Sequence, residues 1–155
     1  MQLFRMFRQM KESIQYRTKS FLHSIGKSKE NAMHSFVLPD GERIEGEHSL
    51  EMLQERFANI NLNPEKIVGK SVLDLGGGDG YFSFELQKAG AFCQVVDVRA
   101  SRVFKYVKSK TNLSVNFKRK KIEKLTVREI GSCDIVLMMA VFEQLDSPLE
   151  LLSKI

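Results

Sequence analysis

Cysteine and long apolar runs are scarce in this chain of 155 residues, which has no tryptophan at all. Its two cysteines, Cys93 and Cys133, lack the spacing of a disulfide framework or a zinc site, so we expect both to be buried apolar side chains. The longest uncharged apolar run, residues 135–142, is too short to span a bilayer. Arg5 and Arg8 stand where a signal peptide would need its apolar core. These absences predict a cytoplasmic protein without a transmembrane segment.

Charge is divided unevenly along the chain, although the net charge is only +5. Residues 1–30 carry seven Lys or Arg side chains against two acids, and residues 99–128 carry eleven against one. Residues 31–98, between them, carry five against eleven. The densest basic run, residues 118–121, is a candidate nucleic-acid contact. Such runs are equally typical of solvated surfaces, and the sequence leaves both interpretations open.

Two units are predicted before the main domain. In residues 1–30, apolar side chains recur every three, four or seven residues, a pattern typical of a basic amphipathic helix or helix pair. Such a helix docks on its own domain more often than on a membrane or RNA. In residues 31–66, the Pro-Asp-Gly sequence at 39–41 predicts a tight hairpin, and Ser49 predicts the N-cap of a helix.

Residues 67–155 form the third predicted unit, whose order of elements is that of a doubly wound, Rossmann-like α/β fold with a mostly parallel sheet. The most apolar of the predicted strands, at 135–141, suits a parallel sheet that is buried on both faces. In chain order, the sequence predicts a strand at 72–75, a helix at 81–88, a strand ending at Asp97, a helix around 103–107, a short strand at 113–117, a loop beginning with 118–121, a helical turn at 126–130, a strand at 135–141 and a helix capped by Ser147 with Pro148 at its first position.

A glycine cluster joins the first of these strands to the first helix. It follows Asp74 in the pattern D-x-G-x-G-x-G. A dinucleotide fingerprint would need Gly or Ala at 81 or 83, where Tyr81 and Ser83 stand. Asp74 and Asp79 also surround the turn with negative charge, which disfavours a pyrophosphate. S-adenosylmethionine brings an ammonium and a sulfonium and no phosphate, so the sequence favours it as the cofactor.

The runs VLDLGGGDGYFSFELQKAGA and VVDV resemble motif I and the following acid of class I S-adenosylmethionine-dependent methyltransferases. Over residues 33–155, the chain resembles the branch that contains the tRNA wobble-uridine (carboxy)methyltransferases. It departs from that branch in having no Trp before the hairpin, and in reading Glu143-Gln144-Leu145 where the branch has Tyr-His-Leu. The resemblance implies methyl transfer from S-adenosylmethionine to an acceptor, either tRNA or a small molecule.

The resemblance also implies roles for single residues. Asp74 would orient the methionine amino group, directly or through water, and Asp97 would accept both ribose hydroxyls. Lys121 stands where such families often place an acid for the adenine amino group, so Glu123 or a backbone group would substitute. The backbone of Gly76, Gly77 and Gly78 would pass under the methionine and ribose. Val98 and Ile122 would lie on either side of the adenine, with Met139 and Ala140 on the opposite wall. The full set of candidate cofactor-binding residues is Asp74, Gly76, Gly77, Gly78, Asp79, Tyr81, Asp97, Val98, Ile122, Met139 and Ala140.

Other polar residues receive structural interpretations. His34 and His48 are predicted to be surface or hairpin residues, because no further metal ligands accompany them. Glu143 is either a base near the transferred methyl group or, more simply, a solvated acid. No catalytic residue and no metal site is therefore assigned.

The class I fold that the resemblance implies normally has seven strands, whereas the predicted elements stop in the helix after the fourth. The strand at 135–141 would then be an uncovered edge that a partner chain could cover. A fragment, a truncated product and half of a shared site remain open. The alternative function is a non-catalytic cofactor-binding or regulatory module, and we expect the isolated chain to bind cofactor weakly and to turn over little or no substrate.

Overall fold

Two sheets form the framework of the fold in the computed structural model, which describes residues 32–155. A small antiparallel hairpin consists of β1 (Phe36–Val37) and β2 (Arg43–Ile44). The larger sheet consists of β3 (Ser71–Leu75), β4 (Phe92–Asp97), β5 (Asn116–Arg119) and β6 (Ile135–Leu137). Its strands are all parallel and lie in the order β5-β4-β3-β6, so β6 is an edge strand among the described residues.

Six α-helices connect or flank the strands of the described region. Side-chain oxygens of Ser49, Asn63, Ser101 and Thr126 accept hydrogen bonds from backbone N–H groups in the first turns of four of them. Two 3₁₀ turns follow β5 and β6, at Ile122–Lys124 and Phe142–Gln144. The helices are α1 (Leu50–Asn59), α2 (Pro64–Ile67), α3 (Tyr81–Lys88), α4 (Arg102–Thr111), α5 (Val127–Ile130) and α6 (Pro148–Leu152).

Apolar side chains cover both faces of the parallel sheet. Val72 and Val95 belong to a core cluster that also holds the hairpin, α1, α3 and α4. Leu73 and Val96, the next residues along the same strands, belong to a second cluster with Ile122, Val141 and Leu151. This division follows from the two-residue period of a strand, which points successive side chains to opposite faces. The expectation of a doubly wound α/β fold is therefore confirmed for residues 67–155.

The register of the sheet places the site. Leu73 pairs with Gln94 and Leu75 with Val96, and the Gly76 N–H donates to the Val96 carbonyl oxygen at 2.8 Å. The turn that follows β3 therefore starts beside the end of β4. Because all four strands are parallel, their carboxyl ends meet at this one edge of the sheet.

Several details differ from the sequence prediction. β6 ends at Leu137 instead of reaching 141. Beyond it, Ala140 adopts a φ of +53°, and Val141 lies over Gly76 at the end of β3. β5 starts at Asn116, so Lys118 and Arg119 lie in the strand instead of a loop. His34, predicted as a surface or hairpin residue, lies beside the hairpin and is buried there, and Cys133 is only partly buried. The helical unit predicted at 1–30 lies outside the described residues.

Candidate functional site

The glycine turn, residues 76–80, lies at the carboxyl end of β3 and leads directly into α3. Gly77 must lack a side chain, because a Cβ there would lie 2.6 Å from Oδ2 of Asp74 and 3.0 Å from Cγ1 of Val95. At Gly76, a Cβ would lie 2.6 Å from Cγ2 of Val141. The turn is therefore packed tightly on the sheet, and at Gly76 it is covered by the segment after β6.

Asp74 lies beneath this turn and is only 1% exposed. Ser83 Oγ donates to its Oδ2 at 2.7 Å, and this is the one hydrogen bond that the carboxylate receives within the described residues. Burial raises the pKa of Asp74 to about 6, and the nearby charge of Asp97 adds to that rise. Because a single hydrogen bond compensates so little of the cost of burying this charge, a cation that approaches Asp74 would stabilise its ionised form.

Asp97 ends β4, beside the glycine turn, and is partly exposed. Its Oδ2 accepts the Gly78 N–H at 3.2 Å, and its Oδ1 accepts the Val98 N–H at 2.6 Å. These two bonds fix the orientation of the carboxylate, while each oxygen keeps a lone pair for a ligand. The arrangement suits recognition of two neighbouring hydroxyl groups.

Asp79 and Tyr81, two further candidate residues, are engaged with the hairpin side of the molecule. Asp79 Oδ2 accepts the backbone N–H groups of Met33 and His34 at 2.8 and 3.1 Å. The Tyr81 ring lies 5.7 Å from the Phe36 ring, and burial raises the pKa of its hydroxyl to about 12. Both residues are buried, so their side chains contribute to packing around the turn.

The candidate adenine-binding residues lie at the ends of β4 and β5 and after β6. Val98 is 53% exposed, whereas Ile122 is buried and points its Cδ1 towards Gly76. The Lys120 N–H donates to the Asp97 carbonyl oxygen at 2.9 Å, which brings the segment before Ile122 next to Asp97. After β6, Met139 packs partly against the first core cluster and Ala140 is exposed.

The basic run at 118–121 is largely paired within the chain. Lys118 and Lys120 contact the carboxylate of Glu129 at 3.2 and 2.6 Å, and Glu129 also completes the capping box of α5. Arg119 Nε donates to the Val98 carbonyl oxygen at 3.0 Å, and Lys121 lies 3.3 Å from Glu123. Lys118 and Lys120 thus connect β5 and the residue after it to α5, whereas the contact of Lys121 is local.

One contact of the glycine turn was not foreseen from the sequence. The segment before β1 reaches it through Asp79, which is separated from His34 by 45 positions in the chain. No local pattern signals such a distant pairing. His34 itself is buried, and its Nδ1 has no hydrogen-bond partner in the described part of the chain.

Among residues 32–155, no helix combines the length and apolarity needed to cross a membrane. Within the same residues, no three His, Cys, Asp or Glu side chains come together in a group that could hold a metal ion.

Comparisons with known proteins agree on one family. A sequence profile of a methyltransferase domain matches residues 46–155. The ubiquinone biosynthesis O-methyltransferase of Cupriavidus pinatubonensis is 32% identical over 84 residues, which cover 53% of this chain and 34% of the relative. The chain therefore spans about a third of the length of that relative.

Solved structures of low sequence identity share the fold. The N-terminal domain of EvdMO1, crystallised in the presence of SAH and D-fucose, has a TM-score of 0.67 at 19% identity, with 89% of this chain and 59% of that chain covered. Magnesium protoporphyrin IX methyltransferase from Synechocystis PCC 6803 with bound SAM has a TM-score of 0.52 at 19% identity, with 67% and 51% covered.

Proposed function

Since this chain belongs to the methyltransferase domain family, we propose that the carboxyl end of its sheet binds S-adenosylmethionine for methyl transfer to a small-molecule acceptor. The observation that carries the proposal is the pair of carboxylates on adjacent strands, with the glycine turn between them. Asp74 is buried under the turn, and Asp97 is oriented by the turn's own Gly78 N–H. One acid thus acts on charge, and the other on hydroxyl groups.

The residues present fit a nucleoside that carries positive charge. Asp74 supplies a negative field beneath the turn, because its burial leaves the charge with a single hydrogen bond inside the described region. Asp97 would accept the ribose hydroxyls through its two remaining lone pairs. Val98 and Ile122 would flank the adenine. Asp79 and Tyr81 would shape the turn without touching the cofactor.

Catalysis of methyl transfer depends mainly on aligning the methyl group with the acceptor, because the sulfonium of the cofactor supplies an already activated methyl carbon. The chain's contribution is then to hold the nucleoside end so that the methyl group faces the acceptor. Glu123 accepts the Asp146 N–H at 3.4 Å, which ties the segment after β5 to the segment after β6. That contact joins two of the walls between which the cofactor would lie.

Small molecules are the favoured acceptors for two reasons. The matched relative is named as an O-methyltransferase of ubiquinone biosynthesis. In addition, Glu129 and Glu123 already pair with three of the four basic side chains at 118–121, which weakens the case for a nucleic-acid surface there. A filter-binding assay with total tRNA tests the alternative. Tight binding that Lys118→Gln with Lys120→Gln abolishes would favour tRNA.

Calorimetry with S-adenosylmethionine tests the cofactor site. We expect Asp97→Asn to weaken binding about ten- to hundredfold, since it removes a charged acceptor for two hydroxyls. Asp134→Asn is the matched control, because it changes an exposed acid next to β6 at the opposite end of the sheet. Equal losses in both variants, or no loss in either, would contradict the assignment of Asp97.

The pH dependence of cofactor binding tests Asp74. S-adenosylmethionine and S-adenosylhomocysteine both carry the methionine ammonium that Asp74 would orient. We expect the affinity for S-adenosylmethionine to rise between pH 5 and pH 7, as Asp74 loses its proton with a pKa of about 6. Asp74→Asn should flatten that rise. An affinity that is independent of pH in the unaltered chain would contradict the role of Asp74.

A further inference from the structure

The segment at residues 32–35, immediately before β1, is held against the glycine turn from two sides. On one side, Asp79 Oδ2 accepts the N–H groups of Met33 and His34. On the other side, the Met33 carbonyl oxygen accepts the His48 N–H at 2.9 Å, and Ser35 donates its N–H to the His48 carbonyl oxygen at 3.2 Å. The segment is therefore fixed relative to the turn and does not merely lie near it.

Close approach of the backbones supports this placement. A Cβ at Gly46 would lie 2.5 Å from the carbonyl carbon of His34, so the backbone of residues 46–48 packs directly on the segment. Gly46 also donates its N–H to Ser35 Oγ at 2.9 Å. The hairpin thus carries the segment as a rigid extension.

The side chains of the segment face the part of the turn next to Asp97. The atoms nearest to a Cβ built on Gly78 are Sδ of Met33, at 3.7 Å, and Cε1 of His34, at 3.9 Å. The N–H of Gly78 in turn donates to Asp97. Met33 keeps about half of its surface exposed, so its thioether is accessible beside the turn.

His34 carries the polar group that this arrangement leaves unused. The residue is 8% exposed, and its Nδ1 is buried without a hydrogen-bond partner among residues 32–155. The rings of His48, Tyr81 and Phe82 lie 5.8 to 6.2 Å away and surround it. Burial lowers the pKa of His34 to about 4, so the imidazole is neutral near pH 7 and offers one donor and one acceptor. A buried polar atom without a partner is unfavourable unless a ligand or water supplies one.

We propose that Met33 and His34 form a wall of the cofactor site, that Asp79 fastens this wall to the glycine turn, and that the neutral His34 imidazole is hydrogen-bonded when S-adenosylmethionine is bound. Met33 contributes apolar contact, and Asp79 is a positioning residue that acts through the two backbone N–H groups. The inference rests on the proposed function and adds to it a wall from the segment before the hairpin, 40 or more positions before Asp79.

Variants of Asp79 test the fastening without any ligand. We expect Asp79→Ala to speed hydrogen exchange of the Met33 and His34 amides, followed by NMR in the full chain, by about tenfold, since both lose their acceptor. Asp79→Asn keeps an acceptor oxygen and should restore most of the protection. Exchange in Asp79→Ala that matches the unaltered chain would overturn the fastening.

Variants of His34 test the wall. His34→Phe keeps the ring and removes both nitrogens, and we expect it to weaken binding of S-adenosylmethionine about three- to tenfold by calorimetry. Its unfolding midpoint should stay close to that of the unaltered chain, which a purely structural role would not predict. Asp134→Asn, at the opposite end of the sheet, is the control and should leave affinity unchanged.

The outcomes separate this inference from the function on which it rests. Cofactor that binds tightly and depends on Asp97, but is indifferent to His34→Phe and leaves exchange at Met33 and His34 unchanged, would overturn the wall alone. Failure of the unaltered chain to bind cofactor would overturn both. Cofactor-dependent protection of the Met33 and His34 amides, together with the loss in His34→Phe, would support the wall.

Discussion

The two ends of β3 each hold a carboxylate, and the two are treated in opposite ways. At the amino end, Asp134 accepts hydrogen bonds from Lys70 Nζ at 2.9 Å and from the N–H and Oγ of Ser71, both at 2.8 Å. These bonds hold its pKa far below the usual range. At the carboxyl end, Asp74 is buried with one bond from Ser83, and its pKa rises to about 6.

This difference separates a structural acid from an acid that is free to act on a ligand. Asp134 joins the first residue of β3 to the start of β6, and its charge is matched by groups of the chain itself. The charge of Asp74 is not matched in the same way, so its burial lowers the stability of the fold near pH 7. Such a loss of stability is typical of functional sites, where the free energy lost on burying a charge is regained when a ligand binds to it.

The largest expected effect comes from two glycines that flank β3 with the same backbone angle. Gly69 and Gly76 both have a φ of +76°, but a Cβ at Gly69 meets nothing within 4 Å, while one at Gly76 meets Val141 Cγ2 at 2.6 Å. We expect Gly69→Ala to lower the free energy of unfolding by about 1–2 kcal/mol through backbone strain alone. Gly76→Ala should lower it by about 1–3 kcal/mol more, through the collision.

Urea unfolding of both variants at pH 7 measures this difference. The backbone strain is common to both variants. The additional loss of unfolding free energy in Gly76→Ala therefore reports how firmly the segment after β6 packs over the carboxyl end of β3. Equal losses would mean that Val141 moves aside freely, and the two ends of β3 would then be equally tolerant of a side chain.

The next effect concerns the pH dependence that Asp74 imposes. Its pKa is raised in the folded state from 3.8 to about 6, so the folded chain holds the proton more tightly than the unfolded chain. The resulting stability is complete below pH 3.8 and is lost as the pH rises through 6. Asp74→Asn removes this loss, and we expect the variant to be about 2–3 kcal/mol more stable at pH 7.

The free energy of unfolding of the unaltered chain and of Asp74→Asn is measured from pH 4 to pH 7, and the difference between the two is compared across this range. Taking the difference cancels the acids whose pKa values are lowered, such as Glu129 and Asp134. A difference that stays flat over this range would show that Asp74 is compensated by groups of the chain, as Asp134 is.

The sequence predicted the carboxyl end of the sheet better than its periphery. β3, α3 and the end of β4 at Asp97 agree with the structure, because strand periodicity, a glycine turn and a helical apolar pattern are all local signals. β5 and β6 were placed less accurately. Their bounds depend on which strand they pair with, and on the left-handed residues Asn112 and Ala140, which no local pattern marks.

For the candidate site, local signals identified residue types but not their partners. The spacing around the glycines predicts Asp74 and Asp97, and the structure brings both beside the turn. The same spacing predicts Asp79, yet its carboxylate bonds to Met33 and His34, which lie more than 40 positions earlier. The same long-range contact buries His34, which the sequence predicts only as a surface or hairpin residue.

The smallest expected effect comes from the amino end, where Asp134→Asn should act on stability with the opposite dependence on pH from Asp74→Asn. The pKa of Asp134 is lowered in the folded state, so its contribution is present above the unfolded value of 3.8 and is lost as the pH falls below it. The variant should therefore lie below the unaltered chain by a constant amount from pH 5 to pH 7. Since Asp134 is solvent-exposed, this amount should be smaller than the effect at Asp74. Thermal unfolding measures this stability difference, and the affinity for S-adenosylmethionine should stay unchanged. A loss of affinity would mean that the two ends of β3 are coupled. The division between a structural acid and a ligand-directed acid would then not hold.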